Sequence, residues 1–280
     1  MVFRIAQISD THLSREKPFF VDNFRAISKA MAVSTPDLVV NSGDISLDGA
    51  SRESDLMASR AMHDELGMAG MRFLPGNHDL GESQDAPAYA DGRREASIDA
   101  YRRESYLKHF GPDWWSVDVP GWRILGINAQ LLGSDLGAAR EQDRAIGDAA
   151  AGLGSLKLAL FLHKPLFDQR FDEAELTGRF VNPAPRRQLV EALGPVVPLL
   201  IASGHVHQYR ETWSGNTRHA WCPSTAFVLP DRRQPRYGLK EVGYLEHRLH
   251  EDGRHESEMM RVAGAPTLDA SNFPKAYGRI

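Results

Sequence analysis

Five times between residues 3 and 207, a short apolar run ends in a residue or cluster drawn from Asp, Asn, Gly, Ser and His. Phe3 to Ile8 runs into Ser9-Asp10-Thr11-His12, Leu38 to Val40 into Asn41-Ser42-Gly43-Asp44, and Met71 to Leu74 into Pro75-Gly76-Asn77-His78-Asp79. Lys157 to Leu162 ends at His163, and Val197 to Ala202 at Ser203-Gly204-His205-Val206-His207. Apolar runs of this length, closed by turn-forming residues, read as buried strands, and segments of helical character separate the first three. Parallel strands joined by crossover helices put their carboxyl ends on one edge of a sheet, so clusters about 33 residues apart meet in space. The pattern predicts an α/β fold with a polar crevice along that edge.

The residues gathered there are Asp10, Asp44, Asn77 and the histidines His12, His78, His163, His205 and His207. Oxygen and imidazole donors without thiolates suit Mn²⁺, Fe²⁺, Zn²⁺ or Co²⁺ rather than a cluster built on cysteine. The ligand count implies two divalent ions, with Asp44 the candidate bridge. Asp10 and His12, like His205 and His207, lie two apart, a spacing that strand alternation points to one side. Two ions would lower the pKa of a shared water and offset the charge of an in-line displacement at phosphorus. His78 is then placed to donate a hydrogen bond to phosphate or a proton to the leaving alkoxide, with Asp79 as the partner that orients its ring. Taken singly, each residue has a structural reading: Asp10 and Asp44 as helix caps, Asn77 as a turn residue, His163 as a core histidine. Together those readings require five coincidences at strand ends.

Asp10-Thr11-His12, Gly43-Asp44, Gly76-Asn77-His78-Asp79, His163 and Gly204-His205-Val206-His207 resemble, in order and spacing, the five motifs of the calcineurin-like metallophosphoesterases. The resemblance implies a four-layer αββα sandwich of two mixed β-sheets flanked by helices. It also implies one metal on Asp10, His12, Asp44 and His207, another on Asp44, Asn77, His163 and His205, and His78 as the catalytic histidine outside the ligand set. Within the family, the compact size and the start Ile8-Ser9-Asp10-Thr11-His12-Leu13 are similar to bacterial class III cyclic nucleotide phosphodiesterases and related glycerophosphodiesterases. His163-Lys164-Pro165-Leu166 departs from the histidine-rich version associated with the cyclic nucleotide enzymes. The expected activity is hydrolysis of a small-molecule phosphodiester. A phosphomonoesterase or phosphoprotein phosphatase on the same core, and a non-catalytic scaffold, are the alternatives.

The rest of the chain narrows this reading. A formal charge of −4 over 280 residues offers no basic field for duplex nucleic acid. The N-terminus lacks a signal-peptide apolar region, no stretch approaches a membrane span, and the single Cys222 excludes an internal disulfide, so a cytoplasmic protein is expected. One catalytic domain over 1–262 and a tail over 263–280 are expected, the tail's Phe273 and Tyr277 leaving room for a homo-oligomer. Trp115–Val119 and Trp122–Ile127 read as a hairpin, and Glu95 to His109 and Ala138 to Leu153 as helices. Tyr209 to Trp213, Thr217 to Trp221, Gly243 to Leu249 and His255 to Arg261 read as antiparallel strands. Loops 80–115 and 166–183 are expected to shape the substrate site. Arg93, Arg94, Arg102 and Arg103 read as solvated helix residues, with a phosphate-facing lid as the alternative, and Trp114 and Trp115 as core residues rather than base-stacking ones. Lys164 has no direction legible from sequence. His63, His109 and His219 read as ordinary, and His247, His250 and His255 as a solvated hairpin face rather than a further metal cluster.

Overall fold

The computed structural model describes residues 1–67, 70–88 and 96–277. Eleven strands and seven α-helices are arranged there as β1 (Val2–Ile8), α1 (Val21–Ser34), β2 (Leu38–Asn41), α2 (Glu53–Asp64), β3 (Met71–Phe73), α3 (Asn77–Leu80), α4 (Ala100–Phe110), β4 (Trp115–Val119) and β5 (Trp122–Gly126). There follow α5 (Gly137–Ala151), β6 (Lys157–Phe161), α6 (Pro183–Leu193), β7 (Leu200–Ser203), β8 (Arg210–Ser214), β9 (Thr217–Trp221), β10 (Tyr244–His250), β11 (His255–Met260) and α7 (Pro274–Tyr277).

Two mixed sheets result, one ordered β11-β10-β1-β2-β3 and the other β4-β5-β6-β7-β9-β8. Strand alternation assigns each face. In β6, Ala159 and Phe161 point between the sheets and meet Ile5, Val40, Leu245 and Leu249 of the first sheet. Leu158 and Leu160 point outward onto Ile146 and Ala150 of α5 and Leu189 and Leu193 of α6. On the other outer face, Ala6, Ile8 and Val39 meet Phe24, Ile27 and Met31 of α1. The four-layer αββα sandwich follows from these three apolar interfaces, each buried aliphatic or aromatic side chain contributing roughly 1.5–3 kcal/mol.

The inner layer is not wholly apolar. Gln7, on the inward face of β1, donates from Nε2 to Ser42 Oγ at 2.9 Å and to the Ser203 carbonyl of the second sheet at 3.3 Å. Its Oε1 pairs with His247 Nε2 at 2.9 Å. His247 is therefore buried between the sheets, its ring edge-on to Phe161 at 5.6 Å, and not on a solvated hairpin face. Leu245, His247 and Leu249 form the inward face of β10, and the histidine is tolerated there because both ring nitrogens have partners, Ser257 Oγ meeting Nδ1 at 2.8 Å.

Two further expectations change. Helix α4 begins at Ala100, because Ala96 and Ile98 pair with Glu82 and the Asp99 carboxylate caps the helix by accepting from Arg102 N at 2.8 Å. Strand β9 pairs with β8 antiparallel, as expected, but with β7 parallel, Ala202 opposite Ala220. Its carboxyl end is thereby delivered to the edge where β7 ends. After Ala263, Val228 N donates to Leu268 O at 2.8 Å and Ala270 N to Val228 O at 3.0 Å, and Phe273 packs on Phe19 and Phe20 of the same chain. No helix among the described residues is long and apolar enough to cross a membrane.

Candidate metal centre

All five strand-end clusters arrive at one edge of the sandwich, three from the first sheet and two from the second. The loop after β1 runs beside the loop after β2: Asp10 N donates to Gly43 O at 2.8 Å, His12 N to Asp44 O at 3.0 Å and Leu13 N to Ile45 O at 3.0 Å. Across the sandwich, Gly204 N donates to His163 O at 2.8 Å, and His205 N reaches Asp10 Oδ2 at 3.0 Å. The approach is close enough that a Cβ on Gly204 would lie 1.8 Å from Ser9 Oγ, and one on Gly76 would lie 2.2 Å from Asp44 Oδ1.

Asp10 and His12 enter one group while His205 and His207 enter two adjacent ones, and strand alternation is not what sends them there. All four lie beyond their strands with φ of 54°, 43°, 68° and 53°, and Asp44 shares the left-handed conformation at 49°. The left-handed backbone turns the chain sharply after each strand, at a cost on the order of 1 kcal/mol per residue.

Two groups result, sharing Asp44. Asp10, His12, Asp44 and His207, all buried, offer ligand atoms lying within 4.8 Å of one another, and so do Asp44, His163 and His205. His207 Nε2 is 3.3 Å from Asp10 Oδ1 and 3.2 Å from His12 Nε2. His163 Nε2 is 3.4 Å from Asp44 Oδ1 and 3.1 Å from His205 Nδ1. Asn77, buried, opens α3 next to His78, whose N donates to Asp44 Oδ1 at 2.8 Å.

Backbone carbonyls fix the tautomers, since a carbonyl only accepts. His163 Nδ1 faces Ser42 O at 2.9 Å, His207 Nδ1 faces Phe227 O at 2.8 Å, and His205 Nε2 faces Gly178 O at 3.0 Å. Each of those nitrogens carries a proton, so a neutral ring turns its lone pair inward. Lone pairs of His163 and His205 then meet 3.1 Å apart beside a carboxylate, and Asp10 Oδ1 is buried without a hydrogen-bond donor. Such an arrangement calls for cations, and its donors suit divalent ions.

In the metal-free chain a proton on His163 meets part of that demand. Burial lowers the His163 pKa, yet the charge and hydrogen bond of Asp44, then Asp10 and Asp79, raise it to about 9. Burial opposes ionisation of Asp44 as well, but His163 and His78 hold it well below the usual carboxylate range. His12 and His205 are pushed well below the ordinary histidine value, mainly by burial, with neighbouring histidines adding to the effect.

Asp79 has a different task from the one expected. Its carboxylate accepts from Ile45 N at 3.0 Å, Ser46 N at 2.8 Å, Ser46 Oγ at 2.6 Å and Gly76 N at 2.9 Å, which ties the loops after β2 and β3 together. Burial, with Asp44 nearby, raises its pKa to about 6. The ring of His78 is oriented by Leu47 O, 2.7 Å from Nδ1, and lies edge-on to His12 at 4.7 Å.

Other candidates sit elsewhere. Lys164 is buried and pairs with Glu82, which also accepts from Gln130 Nε2. Arg102 bonds Asp99 and Ala50 O, and Arg103 grips Asp113 bidentately below Trp114. Arg93 and Arg94 lie outside the described residues. Trp115 packs into the inter-sheet core with Nε1 donating to Phe73 O. The 166–183 loop does reach the centre, through Gly178. The segment Cys222-Pro223-Ser224-Thr225-Ala226-Phe227 was missed: Ser224 Oγ donates to Asp10 O at 2.9 Å, Thr225 N to Ser9 O at 2.9 Å, and Phe227 supplies the carbonyl for His207. Its signal was a sixth strand end, after β9, hidden by reading that strand as antiparallel throughout.

The fold and this centre define a metal-dependent phosphoesterase of the dinuclear class. The sequence profile of the calcineurin-like phosphoesterases matches residues 3–209, and the chain belongs to that family. It is 27% identical to a 3',5'-cyclic adenosine monophosphate phosphodiesterase of Pseudomonas aeruginosa over 92% of this chain and 89% of that one. It is 24% identical to a "Probable glycerophosphodiester phosphodiesterase" of Arcobacter nitrofigilis over 74% and 73%. A dimetal phosphatase from Danio rerio shares the fold with a TM-score of 0.60 at 14% identity, covering 93% of this chain and 99% of that chain.

Proposed function

We propose that the chain hydrolyses a small-molecule phosphodiester of the cyclic nucleotide or glycerophosphodiester type. The observation that carries the reading is the pair of donor clusters, Asp10, His12, Asp44 and His207 on one side and Asp44, His163 and His205 on the other, that share the carboxylate of Asp44. Two relatives, one named for a cyclic nucleotide and one for a glycerophosphodiester, support the diester class.

Asp10, His12, Asp44 and His207 would hold one divalent ion, and Asp44, Asn77, His163 and His205 the other, with Mn²⁺, Fe²⁺, Zn²⁺ or Co²⁺ suited to the donors. When bound, the ion pair supplies Lewis acidity and a nucleophile at neutral pH. The chain's own residues do the rest. Asp44 keeps the two halves in register. His78 Nδ1 stays protonated against Leu47 O, so Nε2 is the nitrogen that gives a proton to the departing alkoxide. Asp79 fixes the loop that carries both Asn77 and His78. The 166–183 loop, touching His205 through Gly178, helps to shape the substrate's side of the crevice. The lack of a broad basic field fits a small substrate in the cytoplasm rather than duplex nucleic acid.

Matched aryl phosphate diester and monoester substrates test this reading, offered to metal-stripped protein resupplied with Mn²⁺, with Asn77→Ala as control. The expected outcome is metal-dependent diester cleavage that falls by roughly 100-fold or more in the variant. Preference for the monoester moves the assignment to a phosphatase, and no turnover with any divalent ion refutes an enzymatic role.

A further inference from the structure

The segment beyond β11 is fastened to the layer directly behind one half of the candidate centre. Three independent connections converge on residues 226–228. The first is backbone pairing, Val228 N to Leu268 O at 2.8 Å and Ala270 N to Val228 O at 3.0 Å. Asn23 makes the second: buried in α1, it divides its Nδ2 donors between Ala226 O at 2.9 Å and Pro266 O at 3.0 Å. The third is a row of rings. Phe273 lies 5.4 Å from Phe20, Phe20 lies 4.7 Å from Phe227, and Phe227 lies 4.5 Å from His207 and 5.0 Å from His12. Phe227 also provides the carbonyl that takes the Nδ1 proton of His207.

We propose that residues 265–276 are a strap that positions His207 and His12 through Phe227, and so sets the affinity of the half of the centre formed by Asp10, His12, Asp44 and His207. The other half is oriented from different elements: Ser42 O faces His163 and Gly178 O faces His205. Phe273, Phe20 and Asn23 are positioning residues, since they act only through other side chains and the backbone. Partners behind a metal-binding histidine typically change affinity by about 10–100-fold when removed, and a displaced Phe227 carbonyl falls in that class.

The inference rests on reading the two groups as metal sites, and the test separates the two claims. In the full chain, His205→Ala disables one half and His207→Ala the other, leaving a single binding step in each background for calorimetric titration with Mn²⁺. Phe273→Ala should weaken the step in the His205→Ala background by about 10-fold and leave the step in the His207→Ala background unchanged. Phe273→Leu, which keeps apolar bulk against Phe20, should restore most of the affinity. Asn23→Ala, acting through the other fastening, should reproduce the selective loss. Equal weakening in both backgrounds, or none in either, overturns the strap. Absence of any Mn²⁺ binding by the unmodified chain overturns the metal reading instead.

Discussion

At the edge where β1, β2 and β7 end, Asp10, His12, Asp44, His205 and His207 take φ between 43° and 68°. At the opposite end of the β1-α1-β2 unit, Thr35 takes φ of 47° where α1 stops, the sixth such non-glycine residue among those described. At the site edge, backbone bonds between neighbouring loops hold Asp10, His12 and Asp44, His205 N donates to Asp10 Oδ2, and all five side chains enter the shared clusters. Thr35 merely ends a helix: its N donates to Met31 O at 3.0 Å, and its side chain is exposed. The same local cost is therefore functional at one end and incidental at the other. Relieving it should have opposite consequences.

The largest effect is expected where both halves of the centre depend on one residue. Asp44→Ala removes the carboxylate shared by both groups, together with the acceptor for His78 N. Turnover should fall by on the order of 1,000-fold or more, and bound metal, counted by elemental analysis, should drop below one ion per chain. The fold should persist, because the sandwich is held by the three apolar interfaces and not by this edge. A variant that retained two ions and most of its activity would break the comparison at its root.

Five strand ends, and the six Asp and His residues that the structure gathers into two groups, were legible because their signal is local: an apolar run, then Asp, Gly, Asn or His. What the sequence concealed depends on the third dimension. Nothing in Asp10-Thr11-His12 announces left-handed backbone, since non-glycine residues reach it only when neighbouring loops impose it. The parallel pairing of β9 with β7 is set by packing across the sheet, so the role of Ser224 and Phe227 stayed hidden. Asp79 looked like the partner of His78 by adjacency, yet its carboxylate turns to the loop after β2, and Leu47 O, thirty-one residues earlier, holds the ring. His247 was misplaced because a histidine in an alternating strand reads as polar-face, whereas here it sits in the apolar register of Leu245 and Leu249.

His247 sharpens the contrast between buried histidines that converge on a cluster and those that are merely satisfied. Burial first, then Arg218 and His255, lowers its pKa to about 3 in the folded chain. The unfolded chain binds the proton more readily, so this residue's stabilisation is complete above about pH 6.5 and is lost as pH falls toward the folded value. Between pH 6.5 and 5 the loss should be about 2 kcal/mol, using roughly 1.4 kcal/mol per unit. Urea unfolding of metal-free protein at both pH values should show that loss, diminished by a comparable amount in His247→Gln. The activity of the metal-loaded variant at neutral pH should match that of the unmodified chain, because the partners of the His247 ring are Gln7, Ser257 and Phe161, none of them a candidate ligand. Equal acid sensitivity in the two proteins would remove His247 as the cause.

The smallest effect tests the incidental end. A β-branched residue is poorly suited to left-handed backbone, whereas asparagine is among the non-glycine residues that adopt it most readily. Thr35→Asn keeps the backbone bond to Met31 O and lies in solvent, so nothing is lost in packing. Glycine would fit the conformation better but adds conformational freedom to the unfolded chain, which offsets part of the gain. Thr35→Asn should therefore stabilise the protein by about 0.5–1 kcal/mol, raising Tm by roughly 1–3 °C, with kcat and KM unchanged. The matching change at the site edge, His205→Asn, relieves the same kind of backbone strain but deletes the imidazole Nδ1 that faces His163, so any gain in stability there comes with loss of metal. If Thr35→Asn also altered turnover, the two ends would be coupled through α1, and the strain at Thr35 could no longer be regarded as incidental.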